Sequence, residues 1–418
     1  MKKIVITNAY TWYNKGDAGI LLGIVDSLKD IYGEDNIEIN ILSFTPEEDK
    51  KRYCKDKTIK NVYSNVLNPH PYIHTKIGKI VAILKLIKNA IKIKIKMLFD
   101  RKSLADTNDS IKILNESDLI IVCGGGFLGG KKLDSLMHLY QININTKFNK
   151  PVIIMGTSIE PIKNMIVEKY TKKILNKVDL VYAREKITYT YLKEFMPNEK
   201  IELIPDMAFM IKDKKQKMEK IEKIREKYDY IFGLTVRKWN FPNSNNSKEL
   251  MKQYIKTIKE TIIELSQKQN CCFIFVPQVI VNYANDIDVA KEIKGQLPKK
   301  VKERVFIYED DYSPEEIKQL IWNCDYFIGT RMHSNIFATS MKIPTTAIAY
   351  EKKTNGIMET VGLEEYVVEI DTITKEKLIE TVERGIKNSE NIKKQLNERI
   401  EQIRKEILEK LNKHMKEL

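Results

Sequence analysis

The 418-residue chain has little of what would announce metal or redox chemistry: five histidines and five cysteines in all. Cys54, Cys123, Cys271, Cys272 and Cys324 show no CxxC spacing. Most of them sit in apolar runs and read as small buried hydrophobes in a reducing cytoplasm. No residues have zinc-ligand spacing, and no acidic cluster calls for Mg²⁺, so neither a metal nor a resident cofactor is expected. No stretch reaches the ~18 uninterrupted apolar residues of a membrane-spanning helix. The apolar run after Met1-Lys2-Lys3 ends at Thr7-Asn8, too soon for the core of a signal peptide. The expected location is therefore cytoplasmic.

What is plentiful is positive charge. Lys and Arg number 71 against 57 acidic residues, a formal excess of +14. That sign favours anionic partners, although much of the lysine belongs to a Lys, Ile and Asn bias along the whole chain. A chain of 418 residues exceeds one ordinary core, so two domains are the default.

The N-terminal half reads as alternating strands and helices. Lys3-Ile4-Val5-Ile6 is a short buried-type strand, followed by the polar and aromatic loop 8–17. A helix is expected from about Ala18 to Ile31, then a strand at Ile37–Leu42. This is the unit of a parallel α/β sheet, whose ligands bind beyond the carboxyl ends of the strands, where Asn14, Gly16 and Asp17 would lie. Asp118–Cys123 is another strand. It runs into Gly124-Gly125-Gly126-Phe127-Leu128-Gly129-Gly130, which is neither a GxGxxG fingerprint nor a Walker A loop. Three consecutive glycines after a strand suit a loop facing a ligand; a tight turn is the plainer alternative. Residues 76–99 are a basic amphipathic stretch. On a helical wheel Ile80, Leu84, Ile87, Ile91 and Leu98 share one face, and Lys85, Lys88, Lys92 and Lys96 another. Packing on the N-terminal domain is the favoured role, peripheral contact with an anionic inner-membrane surface the alternative. The alternation in Ile91–Met97 also suits a strand.

The resulting domain plan has four parts: an N-terminal domain at 1–210, a charged connector at 211–229, a C-terminal domain at 230–373 and a charge-laced helical tail at 374–418. The second domain restarts the α/β pattern with Tyr230–Arg237. Ser313-Pro314-Glu315-Glu316 is a capped helix start. The informative stretch is Gly329-Thr330-Arg331-Met332-His333-Ser334-Asn335, where a strand ends and a helix begins near Ser334. An arginine and a histidine beside a helix N-terminus suit an anion; a surface turn with both side chains in water is the alternative.

Asn14-Lys15-Gly16-Asp17, Gly124-Gly125-Gly126, Gly233–Arg237, Gly329–Ser334 and Tyr350–Gly356 together resemble the polysaccharide pyruvyl transferase family, over roughly residues 8–370. The Arg-x-His block is the most specific part. The resemblance implies an α/β fold of two Rossmann-like domains facing across a cleft, as in GT-B glycosyltransferases. It also implies transfer of a pyruvyl group from phosphoenolpyruvate, as co-substrate, to a sugar hydroxyl of a glycan or lipid-linked oligosaccharide, giving a pyruvate ketal. No nucleic-acid partner is expected. By motif position, Arg331 and His333 carry over as the central donor pair, with Ser334 beside them and Arg237 as a second anion ligand. Lys353 aligns with a family lysine, although Glu351-Lys352 departs from the commoner Asp-Pro. Arginine suits phosphate and carboxylate, and histidine suits proton delivery to the methylene carbon. Asp17 is either the base for the acceptor hydroxyl or the N-cap of the helix at Ala18. Two other readings stand beside this one: a GT-B glycosyltransferase using a nucleotide sugar, and a non-enzymatic glycan- or membrane-binding protein.

Overall fold

A computed structural model describes residues 1–68, 76–99, 101–129, 134–196, 200–242, 244–281 and 284–416. Largely apolar strands of three to nine residues build two fully parallel sheets, as expected for strands buried on both faces. The first sheet contains β1 (Lys2–Ala9), β2 (Ile37–Ser43), β3 (Ile59–Ser64), β4 (Leu119–Val122), β5 (Gly125–Gly129), β6 (Val152–Glu160), β7 (Leu180–Ala183) and β8 (Ile201–Leu203). Its order is β3-β2-β1-β4-β6-β7-β8, with β5 paired to β6. The second sheet contains β9 (Tyr230–Thr235), β10 (Cys271–Phe275), β13 (Val305–Ile307), β14 (Tyr326–Gly329), β15 (Thr345–Ala349) and β16 (Val367–Glu369), after a small hairpin of β11 (Ile280–Val281) and β12 (Ala284–Asn285). Its order, β13-β10-β9-β14-β15-β16, is that of a Rossmann sheet. Strand order reverses at β1/β4 in one sheet and at β9/β14 in the other.

Two compact units result, and they do not follow chain order. One is formed by residues 1–12, 20–207 and 407–418, the other by 13–19 and 208–406. The cuts fall elsewhere than at 210, 229 and 373. The stretch 211–229 is more than a charged connector. It holds the helix Glu219–Arg225 with Ile221 and Ile224 buried, and Asp213 binds both Lys318 and Arg404. Lys318 is fully buried, and desolvation lowers its pKa to about 8 against the pull of Asp213. The tail folds into the helices Lys375–Lys387 and Ser389–Met415. Leu378 and Val382 join the core of the second unit with Phe232, Phe273 and Ile348. Ile392, Leu396, Ile400, Ile403, Ile407, Leu411 and Met415 are all buried, so the long helix is not a free tail.

Residues 76–99 form one helix, which rules out a strand at Ile91–Met97. Its packed face is not the expected one. Ile93 is buried, and Leu86, Ala90 and Met97 pack beside it on the core of the first unit, whereas Ile87 and Ile91 are exposed. The side chains of Ile80, Leu84, Lys85 and Leu98 lie outside the described residues. Among the described residues no helix is long and apolar enough to cross a membrane.

Candidate functional site

The switch point of the second sheet gathers the expected donor residues. β9 and β14 lie side by side with Gly329 opposite Thr235. The Thr235 hydroxyl oxygen accepts from Thr330 N at 3.0 Å and lies 2.7 Å from Ser334 Oγ. Ser334 Oγ also donates to Arg331 O at 2.6 Å. Ser334 is thus fully buried and fastens the turn to β9, where the sequence placed it among ligand contacts. The helix opens at Met332, two residues before the expected Ser334. Gly329 is required here, because a Cβ would come within 1.8 Å of Asn335 Oδ1. Asn335 is itself buried, and neither its Oδ1 nor its Nδ2 has a protein partner. Each such group costs about 1–3 kcal/mol when left unsatisfied.

Arg331 is not a free cation. Its Nε lies 3.2 and 3.1 Å from the two carboxylate oxygens of Asp286, and its Nη2 donates at 2.5 Å. Burial opposes its charge, but Asp286 more than restores it and holds its pKa above the ordinary value. The same carboxylate accepts from Gln278 N and Val279 N at 3.1 and 3.0 Å. Asp286 therefore clamps the loop after β10 to the guanidinium.

That loop also carries the Asn14–Asp17 motif. Lys15 N donates to Gln278 O at 2.8 Å, and Ile280 N to Tyr13 O at 2.9 Å. The Lys15 ammonium is fully buried and pairs with Asp311 at 2.5 Å. The helix begins at Lys15 rather than Ala18, so Asp17 lies in its first turn and is not the N-cap. Its carboxylate instead accepts from Asn14 Nδ2 at 2.5 Å. Gly16 faces His333: a Cβ there would lie 2.1 Å from Nδ1 and 2.6 Å from Cγ of the imidazole. Three residues on, a Cβ at Gly19 would come within 2.9 Å of Phe337 Cζ. The two glycines let the start of this helix lie against the helix Met332–Ser340.

Arg237, just beyond β9, is held differently. Its guanidinium carbon is 4.6 Å from the centroid of Trp239 and 4.0 Å from that of Tyr350. Among the described residues only its Nε, of the side-chain N–H groups, finds a hydrogen-bond partner, Lys238 O at 3.3 Å. No carboxylate pairs with it among the described residues. Burial, with the charge of Arg331, depresses its pKa, but a guanidinium stays charged. Stacking uses the faces of the group and leaves in-plane donors for a bidentate anion. Lys353 lies 5.9 Å from the Tyr350 centroid and pairs with Glu351, the residue that departs from the family pattern.

The glycines 124–126 belong to the other unit. A Cβ at Gly124 would lie 2.1 Å from Met155 O, so this glycine permits close approach of β6. Gly125, with φ of 147°, starts β5. Gly126 is exposed, and its nearest neighbour is Arg184 Nη2 at 4.0 Å from a built Cβ. Arg184 is buried and paired with Asp206 at 2.9 Å. Among the described residues no group of side chains could hold a metal ion. Sequence reasoning overlooked Lys15, Trp239 and Asp286. Lys15 stood inside a quoted motif. Asp286 carried a signal as well, an acidic residue at the first helical position, directly after the small hairpin that follows β10.

Comparison with known proteins finds relatives both by sequence and by fold. The amylovoran biosynthesis protein AmsJ of Erwinia amylovora is 23% identical over 420 residues, covering 96% of each chain. Anabaena Alr3699/HepE, solved in complex with UDP and glucose, superposes with a TM-score of 0.57 at 14% identity, over 100% of this chain and 99% of that one. UDP-GlcNAc 2-epimerase from Neisseria meningitidis, bound to UDP-GlcNAc, gives 0.57 at 16% identity, over 99% and 100%. At such identities the likeness is one of fold, the GT-B class of two Rossmann-like units. The profile described as Polysaccharide pyruvyl transferase matches residues 14–352, and the chain belongs to that family.

Proposed function

We propose that the protein transfers a pyruvyl group from phosphoenolpyruvate to a sugar of a surface polysaccharide or its lipid-linked precursor, forming a pyruvate ketal. The observation that carries the reading is the seating of His333 against Gly16, at the switch point where Arg237 and Arg331 also lie. In the proposed reaction His333 delivers a proton to the methylene carbon of the donor, and cationic character builds at C2. One sugar hydroxyl adds there. A second hydroxyl of the same sugar then displaces inorganic phosphate, closing the ketal. Of the two hydroxyl protons, one replaces that taken from His333 and the other leaves with phosphate. Arg237 grips the phosphate or carboxylate with its unpaired fork, and the clamped Arg331 holds the other anionic group. Asp17, steadied by Asn14, is the proposed base for the acceptor hydroxyl. Gly126 is kept as a proposed acceptor contact, and Lys353 is a weaker donor contact because Glu351 already holds it.

A role in glycan assembly also accords with the Erwinia amylovora relative, which is named for amylovoran biosynthesis. The second reading, a nucleotide-sugar glycosyltransferase, has one observation in its favour: the Anabaena fold neighbour was solved with UDP and glucose. Incubation with phosphoenolpyruvate and an oligosaccharide acceptor, following phosphate release, separates the two. Release that requires acceptor supports pyruvyl transfer. No release, with turnover of a UDP-sugar, supports the second reading.

A further inference from the structure

Over residues 86–97 and 99 the helix Lys76–Phe99 shows two apolar faces, and only one has a partner among the described residues. Leu86, Ala90, Ile93 and Met97 meet the core of the first unit. About a third of a turn away run Ile87, Ile91 and Ile95, at 51%, 54% and 52% exposure, with Phe99 at 85%. Spaced four apart, these residues form one stripe along the helix. Lysine borders it on both sides. Lys94 projects on one flank, and Lys88, Lys92 and Lys96 on the other, with Lys88, Lys92 and Lys94 exposed. The helix carries seven lysines and no acidic residue.

We propose that this outward face docks on an anionic lipid surface. A stripe of isoleucines ending in phenylalanine can settle at the headgroup boundary while the flanking ammonium groups reach lipid phosphates. The inner face stays on the protein core, so docking needs no unfolding. A second copy of the chain is a poor occupant, because it would oppose two lysine-rich faces with no carboxylate on either. The docking does not depend on the proposed transfer chemistry, since it is read without donor or acceptor.

The test is flotation of the full chain with vesicles of phosphatidylcholine alone and of phosphatidylcholine mixed with phosphatidylglycerol, alongside its oligomeric state in solution. Wild-type protein should float only with the anionic vesicles, and less so in high salt. Since each lysine at such a surface is worth about fivefold in partitioning, Lys88→Gln/Lys92→Gln/Lys96→Gln should bind about a hundredfold more weakly. Ile91→Glu/Ile95→Glu should lose tenfold or more with an unchanged melting temperature, because both positions face solvent. Equal flotation with both vesicle types, no flotation, or variants that float like wild type would overturn the proposal. So would a wild-type dimer that Ile91→Glu/Ile95→Glu converts to monomer, which would make the stripe a self-interface.

Discussion

Two histidines occupy comparable places in the two units and are treated in opposite ways. His138, on the helix Asp134–Asn145 that follows β5, is sealed between aromatic rings. Phe127 stacks on it at 4.1 Å, and Phe44 meets it edge-on at 4.9 Å. Asn8 Nδ2 lies 3.1 Å from its Nδ1, a contact that suits an accepting, neutral ring. Burial pushes its pKa down to about 3. His333, on the helix that follows β14, is partly exposed, lies against a glycine, and shares its switch point with two arginines. A ring boxed in by aromatics is held in one protonation state. The His333 ring has no such aromatic box; its Nδ1 lies against Gly16, and it is the ring proposed to pass a proton to an anionic substrate. Proximity to a strand end is therefore not enough to mark a catalytic histidine; what encloses the ring decides.

The sharpest way to break this contrast is to remove each ring. His333→Ala should lower phosphoenolpyruvate-dependent phosphate release about a thousandfold, roughly 4 kcal/mol, while donor affinity stays within about tenfold. Steady-state kinetics with a donor titration reads both, and wild-type turnover would remove His333 from the mechanism. Arg237→Ala should act on the other term. Losing a charge-assisted fork that no carboxylate neutralises should weaken donor binding about thirty- to a hundredfold, roughly 2–3 kcal/mol. Arg237→Lys should recover only part of this, because an ammonium cannot replace the stacked fork. Calorimetric titration with phosphoenolpyruvate measures it; a change confined to turnover would count against an anion-binding role.

His138 predicts a pH effect of definite sign. Its folded pKa of about 3 lies below the 6.5 of the free side chain, so the unfolded chain binds the extra proton. Its contribution to stability is present above pH 6.5 and is lost as pH falls, by about 2 kcal/mol between pH 7 and 5. Asp49 works against it in the same window. Burial raises its pKa from 3.8 to about 6, so its contribution grows as pH falls through 6. The quantity to measure is therefore a difference: denaturant unfolding of wild type minus His138→Gln from pH 7 to 5. The gap should narrow toward acid; a constant gap would mean that His138 titrates normally.

Much of this arrangement was legible in the sequence. The runs at 3–6, 118–123, 230–236 and 326–329 announced parallel strands, and the order of elements announced two Rossmann sheets. The Gly329–Asn335 junction stood out because few other residues explain an Arg-x-His pair at a strand end. Three features were not legible, each for a physical reason. Asp17 reads equally well as an N-cap or as a first-turn acid, since the helix dipole favours both. The Arg331–Asp286 pair joins residues 45 apart, beyond any local pattern. On the helix 76–99, isoleucine at 87, 91, 93 and 95 leaves apolar arcs on several sides, so periodicity could not choose the buried one.

The smallest expected effect concerns the triple glycine, where the two units differ again. In the second unit glycines make room for side chains, His333 at Gly16 and Asn335 at Gly329. In the first, Gly124 makes room for backbone, 2.1 Å from Met155 O, and a backbone cannot rotate away. Gly126 differs from both, being exposed with nothing nearer than 4.0 Å to a built Cβ. Gly126→Ala should therefore leave stability within about 0.5 kcal/mol. Any kinetic effect must then come from bound substrate. If the glycine lies against the acceptor, its KM should rise several-fold while donor affinity and the melting temperature stay put, because the added methyl meets only the sugar. An acceptor KM equal to wild type would leave the run as a strand-packing device, its need for glycine met at Gly124 and, with φ of 147°, at Gly125.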